Sequence, residues 1–214
     1  MPAETKESMS HWNGHQLCVL DTETTGVDPQ YHEVVQVALV PLTSRLEIRK
    51  DVMPFSMYLK PESPQLADKD AMAKNRLSLS DLCLQGFDRD KAVDLLIAWK
   101  DKLGLGCTAY GTPKKIMLLG HNIGFDIAFM KKWMTSMVYE EQFDYHYRDT
   151  MIIANFLNDS AGLKAETVPY SKVKLQWLAN KLGVEYDTNT AHDALVDCVI
   201  TAKVYKKLCS VGLF

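Results

Sequence analysis

The sequence predicts a mixed α/β fold in which a single sheet is covered by helices. Two observations support this prediction. Apolar runs short enough to be buried strands are concentrated between residues 17 and 60, whereas beyond residue 88 the apolar residues recur mainly at helical spacing. At 214 residues the chain has the length of one domain, so we expect a single folded unit over 15–214, preceded by a flexible polar tail at 1–14.

An antiparallel meander is expected at the start of the sheet. Residues 17–20 form an apolar run that ends at Asp21, and turn-forming residues separate it from a second β-rich run at 34–40. Because the connection is short, the two strands can pair antiparallel. Residues 52–60 are expected to add a third strand, which ends before Pro61.

Helices are expected to dominate the rest of the chain. The first covers 88–103, with Asp88 as its candidate N-cap, and residues 116–119 then form a further buried strand. This order of elements favours a sheet that combines an antiparallel meander with parallel strands. Later helices are expected at 124–137, 150–157, 171–182 and 193–208.

Composition and charge exclude several classes of protein. The formal charge of −3 argues against wrapping long duplexes by bulk electrostatics, and no run approaches the ~18 apolar residues that a membrane span needs. The N-terminal residues lack the apolar core of a secretory signal. Five cysteines without a C-x-x-C pair indicate neither a disulfide framework nor a zinc knuckle, and we expect a cytoplasmic protein with no membrane partner.

Acidic residues on apolar faces are the most informative feature of the sequence. Asp21 and Glu23 lie two residues apart, so both side chains should point to one side of the first strand. Asp126 and Asp197 each begin a helical stripe of apolar residues and should face the core. Any one of these acids could be a helix cap or a surface residue, and Asp126 could cap its own helix.

Together, the four carboxylates indicate a metal site. A buried carboxylate is costly unless it is protonated, paired or bound to a cation. Three distant segments supply acids to inward faces, and clustered oxygen ligands without cysteine suit Mg²⁺ or Mn²⁺. His192 precedes Asp197 by five residues. If the helix begins at Asp193, His192 lies on the preceding loop and is a candidate general base for water.

Three short motifs resemble those of the DEDDh 3′→5′ exonucleases. They occur in the family's order and on the expected elements, and they are Asp21-Thr22-Glu23, Asn122-x-x-Phe125-Asp126 and His192-Asp193-Ala194-x-x-Asp197. The family variant with a tyrosine base would need Tyr at position 193, where this chain has Asp. The resemblance implies a ribonuclease H-like fold, with a layout similar to ribonuclease T and to proofreading exonuclease subunits.

The resemblance also implies phosphodiester hydrolysis by a two-metal mechanism. Asp21 would bridge two Mg²⁺ or Mn²⁺ ions, Glu23 and Asp197 would complete the site of one ion, and Asp126 would support the other. His192 would take the proton from the attacking water. The product would be a nucleoside 5′-monophosphate released from a free 3′-OH end of single-stranded DNA or RNA.

Substrate contacts are expected from residues near these acids. By the same resemblance, the backbone around Thr24 would contact the terminal 3′-OH. Phe125, Tyr31 and His32 could stack on terminal bases, although Phe125 could equally be a core residue. Asn122 is a candidate substrate contact, and capping the following helix is its more ordinary role.

The sequence leaves two alternatives open. The chain could be a non-catalytic nucleic-acid-binding or polymerase-associated proofreading module, although all five catalytic positions hold suitable residue types. It could also be an enzyme restricted to short oligonucleotides or dinucleotides. A homodimer is expected only by analogy with ribonuclease T. The choice between DNA and RNA as substrate is open because no motif indicates a contact with the 2′-OH.

Overall fold

A computed structural model of the protein describes residues 15–108, 110–187 and 192–211. The tail expected at 1–14 lies outside the described residues. None of the helices within the described ranges has the length and apolar character needed to cross a membrane.

The described strands form one mixed sheet. In chain order they are β1 (Gln16–Thr24), β2 (Val34–Pro41), β3 (Phe55–Tyr58), β4 (Ile116–Gly120) and β5 (Phe143–Asp149). Across the sheet they lie in the order β3-β2-β1-β4-β5. The β1–β2 and β2–β3 pairs are antiparallel, and the β1–β4 and β4–β5 pairs are parallel. The prediction of an antiparallel meander joined to parallel strands is confirmed.

Helices cover both faces of this sheet. In the described residues they are α1 (Lys69–Asn75), α2 (Leu79–Gln85), α3 (Arg89–Asp101), α4 (Ile123–Trp133), α5 (Ser136–Gln142), α6 (Thr150–Leu163), α7 (Leu175–Lys181) and α8 (Ala194–Val211). Leu20 of β1 packs in a core with side chains of α3 and α4, whereas Val19 packs in a second core with α8. Because side chains alternate along a strand, Asp21 and Glu23 share the α8 side of β1 with Val19.

Two predicted elements have different bounds in the structure. The third strand is limited to β3 and does not extend over 52–60. The single helix expected at 124–137 is divided into α4 and α5 at Thr135, whose backbone is not helical and has a positive φ of 65°. The Thr135 side chain accepts a hydrogen bond from the backbone of Val138, so it caps α5. Met137 therefore leaves the buried stripe of Asp126 and is exposed.

The bounds of two later helices also differ from the predicted ones. α6 extends beyond the predicted end at residue 157, and α7 begins at Leu175 and not at 171. Asp88 occupies the N-cap position of α3 but its side chain makes no capping hydrogen bond.

Sequence patterning does not predict three of the elements. β5 lies at the edge of the sheet, and its alternating aromatic and polar residues include the exposed Tyr145 and Tyr147. Because an edge strand buries little side-chain area, it lacks an apolar run. The short helices α1 and α2 occupy the segment 61–87, for which we have no sequence motif. Seven-residue helices rarely form from intrinsic propensity and depend on tertiary contacts.

Candidate active site

Three segments of the chain meet where β1 ends. Asp21 and Glu23 lie in the last part of β1, where the register of its pairing with β2 shifts between Glu23 and Thr24. Because β1 and β4 are parallel, their carboxyl ends lie at the same edge of the sheet. The first turn of α4, just after β4, therefore brings Asp126 close to the acids of β1.

Asp126 is attached to β1 through Thr22. The Oδ1 atom of Asp126 accepts a hydrogen bond from the backbone N–H of Thr22 at 2.9 Å and another from its hydroxyl at 2.6 Å. Both residues are buried. Since a buried carboxylate with two donors keeps one orientation, these bonds fix the Asp126 side chain relative to the strand that carries Asp21.

Glu23, His192 and Asp197 form a compact group of possible metal ligands. One ligand atom from each lies within 4.8 Å of the others. His192 precedes α8 in a left-handed conformation with φ 68°, and its backbone N–H donates to Oδ2 of Asp197 at 3.3 Å. His192 thus occupies the loop position expected for a residue that shares one site with Asp197.

A buried glutamine that belongs to none of the sequence motifs holds the start of α8. The side-chain amide of Gln36, in β2, donates to Oδ2 of Asp193 at 3.0 Å and accepts from the backbone N–H of Ala194 at 3.1 Å. The hydroxyl of Tyr58 donates to the same Asp193 oxygen at 3.3 Å. The signal for this role is a lone amide within the apolar run of β2, because a buried amide needs partners.

Burial raises the pKa of all four carboxyl groups. For Asp21 the pKa is well above its usual value, first because of burial and then because Asp126, Glu23 and Asp197 are nearby. Burial raises the pKa of Glu23 to about 8 and that of Asp126 to about 7, even though Thr22 opposes the second shift. The pKa of Asp197 rises to about 6, again mainly by burial.

His192 shows the opposite shift. Burial lowers its pKa, and the positive charges of Lys74 and Arg76 lower it further. The imidazole is therefore neutral at neutral pH and can accept a proton or a metal ion.

The donor set suits a hard divalent cation. Carboxylate oxygens are the ligands that Mg²⁺ and Mn²⁺ prefer. In the part of the chain that the structure describes, Oδ1 of Asp197 is a buried acceptor without a hydrogen-bond partner. A bound cation would satisfy this oxygen and offset the repulsion among the acids. Asp21, Glu23, Asp126 and Asp197 could therefore hold metal ions, with His192 beside them.

An open cleft of about 410 Å³ gives access to these groups. Asp21, Glu23, His192 and Asp197 line it, and α1 supplies one wall that sequence reasoning missed. The residues of this wall lie in or next to α1, and they are Asp68, Asp70, Ala71, Lys74 and Asn75. A seven-residue helix with one buried apolar side chain carries no periodic signal, so only the structure reveals this wall.

The predicted substrate contacts divide into two groups. Thr24 and Phe125 line the cleft, and the Phe125 ring also packs against Phe129 with centroids 4.8 Å apart. Tyr31 and His32 lie on the loop after β1 but are not among the described residues that line the cleft. His32 instead lines a separate cavity of about 70 Å³.

Asn122 differs from its expected capping role. It occupies the N-cap position of α4, but in a left-handed conformation with φ 61° and without a side-chain capping bond. Asp149 takes the role instead and accepts hydrogen bonds from the backbone N–H groups of Asn122 and Ile123. The Asn122 side chain is exposed and is not among the described residues that line the cleft, so its contact with substrate stays a prediction.

Comparison with known families matches most of the chain to one of them. The RNase_T family model, described as exonuclease, matches residues 18–86 and 113–205. These two segments contain the four acids and His192. The chain also resembles curated proteins over most of its length.

Three relatives illustrate this similarity. The DNA polymerase III subunit epsilon of Pasteurella multocida is 24% identical, over 87% of this chain and 65% of the relative. Ribonuclease T of Buchnera aphidicola is 24% identical, over 89% of this chain and 81% of the relative. The oligoribonuclease of Burkholderia lata is 30% identical, over 69% of this chain and 67% of the relative. The chain thus spans just under two thirds of the length of the first of these relatives.

Solved structures share the fold. A moderately thermophilic exonuclease I from Methylocaldum szegediense superposes with a TM-score of 0.68 at 18% identity, over 92% of this chain and 41% of the other. At such low identity the similarity establishes the fold alone. It confirms the expected ribonuclease H-like architecture.

Proposed function

The chain belongs to the RNase_T exonuclease family, and from this membership we propose that it is a metal-dependent 3′→5′ exonuclease of single-stranded nucleic acid. The observation that carries the proposal is the convergence of four carboxylates and His192 beside one open cleft. The relatives named ribonuclease T and oligoribonuclease support it. The non-catalytic alternative is disfavoured because every position needed for hydrolysis holds a suitable side chain.

We assign the metal ligands to the four acids. Asp21, Glu23 and Asp197 would hold one Mg²⁺ or Mn²⁺ ion, and Asp126 together with Asp21 would hold a second. When bound, the two ions supply positive charge that stabilises the attacking and leaving oxygens of an in-line displacement. The hydrogen bonds from Thr22 orient Asp126 before any ion arrives.

His192 serves as the general base in this scheme. Its lowered pKa keeps the imidazole neutral, so it can accept the proton of the attacking water. The water oxygen bonds to phosphorus while the bond from phosphorus to the 3′-oxygen of the preceding nucleotide breaks. A nucleoside 5′-monophosphate leaves, and the 3′-oxygen of the shortened strand takes up a proton from solvent to become a free 3′-OH.

The cleft offers a place for the terminal nucleotide. Thr24 and Phe125 both line it, next to Glu23. The half-buried Phe125 ring can stack on a base, an interaction worth ~1–3 kcal/mol. The backbone around Thr24 would contact the 3′-OH, and such a contact would make a free 3′ end necessary. Contacts from Tyr31 and His32 would need a strand that extends beyond the cleft.

Short oligonucleotides are a second candidate substrate. The observation in their favour is the 30% identity to an oligoribonuclease, the highest among the three relatives above. Comparing digestion rates of dinucleotides with those of longer strands of the same sequence separates the two possibilities. The expected homodimer, a polymerase partner and the cytoplasmic location stay predictions.

The proposal is tested with a 5′-labelled single-stranded oligonucleotide. With Mg²⁺, the protein should produce a ladder of products shortened from the 3′ end and release nucleoside 5′-monophosphates. A 3′-phosphate on the substrate should block the reaction, and so should removal of Mg²⁺ or the Asp21→Ala substitution. Internal cleavage, shortening from the 5′ end, or full activity of Asp21→Ala would contradict the proposal.

A further inference from the structure

The helix α1 is fixed to the end of the strand that carries the catalytic acids. The side-chain amide of Asn75 donates to the backbone carbonyl of Thr24 at 2.9 Å, and the backbone N–H of Asp68 donates to the carbonyl of Thr25 at 2.7 Å. Contacts at both ends of such a short helix set its orientation. The face with Ala71 and Lys74 therefore lines the cleft in a defined position.

Lys74 is the one lysine or arginine among the described residues that line this cleft. It forms no ion pair with any described residue, although it is close enough to shift the pKa values of Glu23, Asp197 and His192. The rest of the lining is strongly acidic, since Asp68 and Asp70 add to the carboxylates of the site. A phosphodiester anion has to enter this cleft, and Lys74 supplies the side-chain cation that can meet it.

We propose that Lys74 binds a backbone phosphate of the nucleic acid strand and that α1 is a substrate-binding wall of the active site. This proposal rests on the exonuclease function proposed above. Once divalent cations neutralise Glu23 and Asp197, the ammonium group of Lys74 loses its attraction to those carboxylates. Its flexible stem and compact charge then suit a phosphate oxygen, in the manner of other phosphate-binding lysines.

A purely structural role for Lys74 predicts something different. If the lysine only balanced the charge of the acidic cluster, its loss would strengthen Mn²⁺ binding, because a neighbouring ammonium group repels the metal ion, and it would leave KM unchanged. A phosphate contact instead acts on substrate affinity. Lys69 provides a matched control, because it is an exposed lysine at the start of the same helix and is not among the cleft-lining residues.

The test compares Lys74→Gln, Lys74→Arg and Lys69→Gln in steady-state digestion with Mg²⁺. Lys74→Gln should raise KM about tenfold and leave kcat within about threefold, because one charged contact to substrate is lost. Lys74→Arg should restore most of the affinity, and Lys69→Gln should match the wild type. In a further experiment, single phosphates near the 3′ end are replaced one at a time with neutral methylphosphonates. At one linkage, this replacement should abolish the difference in KM between the wild type and Lys74→Gln.

Three outcomes would show whether the role of Lys74 or the exonuclease function is wrong. An unchanged KM for Lys74→Gln, or a wild-type advantage that survives every methylphosphonate, overturns the role of Lys74 while the exonuclease function stands. A gain of Mn²⁺ affinity in Lys74→Gln without a change in KM overturns it in favour of charge balance. A wild-type protein that digests no strand refutes the exonuclease function itself. In that case, oligonucleotide binding by the wild type and by Lys74→Gln is compared by fluorescence anisotropy, and equal affinities overturn the phosphate contact too.

Discussion

Thr22 and Asp126 are 104 residues apart in the chain and are joined by two hydrogen bonds to a single carboxylate oxygen. This contact connects the central strand β1 to the first turn of α4. Asp126 therefore does not act as an isolated helix-cap residue. Its position is set by the strand that carries Asp21 and Glu23, which is what a shared metal site requires.

Removing the Thr22 hydroxyl should weaken the site. In Thr22→Val, Asp126 loses one of two donors that stabilise its ionised form, so its pKa should rise further. We expect metal affinity or activity to fall about 10- to 100-fold, as is typical for residues that orient metal ligands. Mn²⁺ titration by calorimetry measures the loss. Thr22→Ser should recover most of it, and a Thr22→Val variant with wild-type affinity would show that the hydroxyl is dispensable.

His192 can be distinguished as a base or as a metal ligand. Its ring lies close to the carboxylates of Glu23 and Asp197, so the distances alone permit both roles. As a general base, His192→Ala should lower kcat about 10²- to 10⁴-fold and leave Mn²⁺ binding nearly intact. Calorimetric loss of Mn²⁺ binding in this variant would assign His192 to the ligands and refute the base.

Metal binding should stabilise the protein more at high pH. Each carboxyl of the site has a folded-state pKa above its unfolded value near 4, so the metal-free folded state retains protons that the unfolded chain has lost. The contribution of these groups to stability is therefore greatest below pH ~4 and falls as the pH rises toward ~8. Saturating Mg²⁺ removes this loss, since it binds the ionised groups.

The measurement is the Mg²⁺-induced change in melting temperature, which should be larger near pH 8 than near pH 6. Asp21→Asn should reduce the difference between the two pH values. If Mg²⁺ raised the melting temperature equally at pH 6 and pH 8, these carboxyl groups would not be the ones that bind the ion.

Gln36 should support catalysis without touching the substrate. Gln36→Met removes the partner of the Ala194 backbone and of Asp193, and an unpaired buried group costs ~1–3 kcal/mol. The melting temperature should fall by roughly 2–4 °C per kcal/mol in a domain of this size. Because His192 directly precedes Asp193, kcat should fall about tenfold as its position loosens.

Gln16→Met is the matched control for this substitution. Gln16 is also a buried glutamine of the sheet, and its amide donates to the carbonyls of Leu17 and Leu42, away from the cleft. The Gln16→Met variant should lose about as much stability as Gln36→Met, and its kcat per folded molecule should equal that of the wild type. If both variants show the same kcat, Gln36 has only a general stabilising role.

The convergence of the acidic side chains was predictable because burial and charge conflict at their positions. Asp21, Asp126 and Asp197 each interrupt an apolar pattern, and such interruptions are expensive unless a ligand compensates them. The parallel pairing of β1 with β4 then accounts for how distant segments come together. Local patterns also predicted the strands of the meander and the buried stripe of α8.

The elements that were missed depend on tertiary contacts. α1 is positioned by the bonds from Asn75 and Asp68 to the end of β1, and no residue spacing encodes them. β5 joins the sheet through parallel backbone pairing with β4, so its exposed face carries no apolar run. The cap of α4 also depends on a tertiary contact. Asp149, at the end of the neighbouring strand β5, accepts the hydrogen bonds from the start of α4, and the Asn122 side chain does not.

Anomalous diffraction from crystals soaked in Mn²⁺ tests the central claim most directly, because it locates the ions. We expect two peaks about 3.5–4 Å apart, contacted by oxygens of Asp21, Glu23, Asp126 and Asp197. Asp21→Ala crystals should lose at least one of them. Peaks at other positions, or no peaks at saturating Mn²⁺, would contradict a paired metal centre formed by these acids.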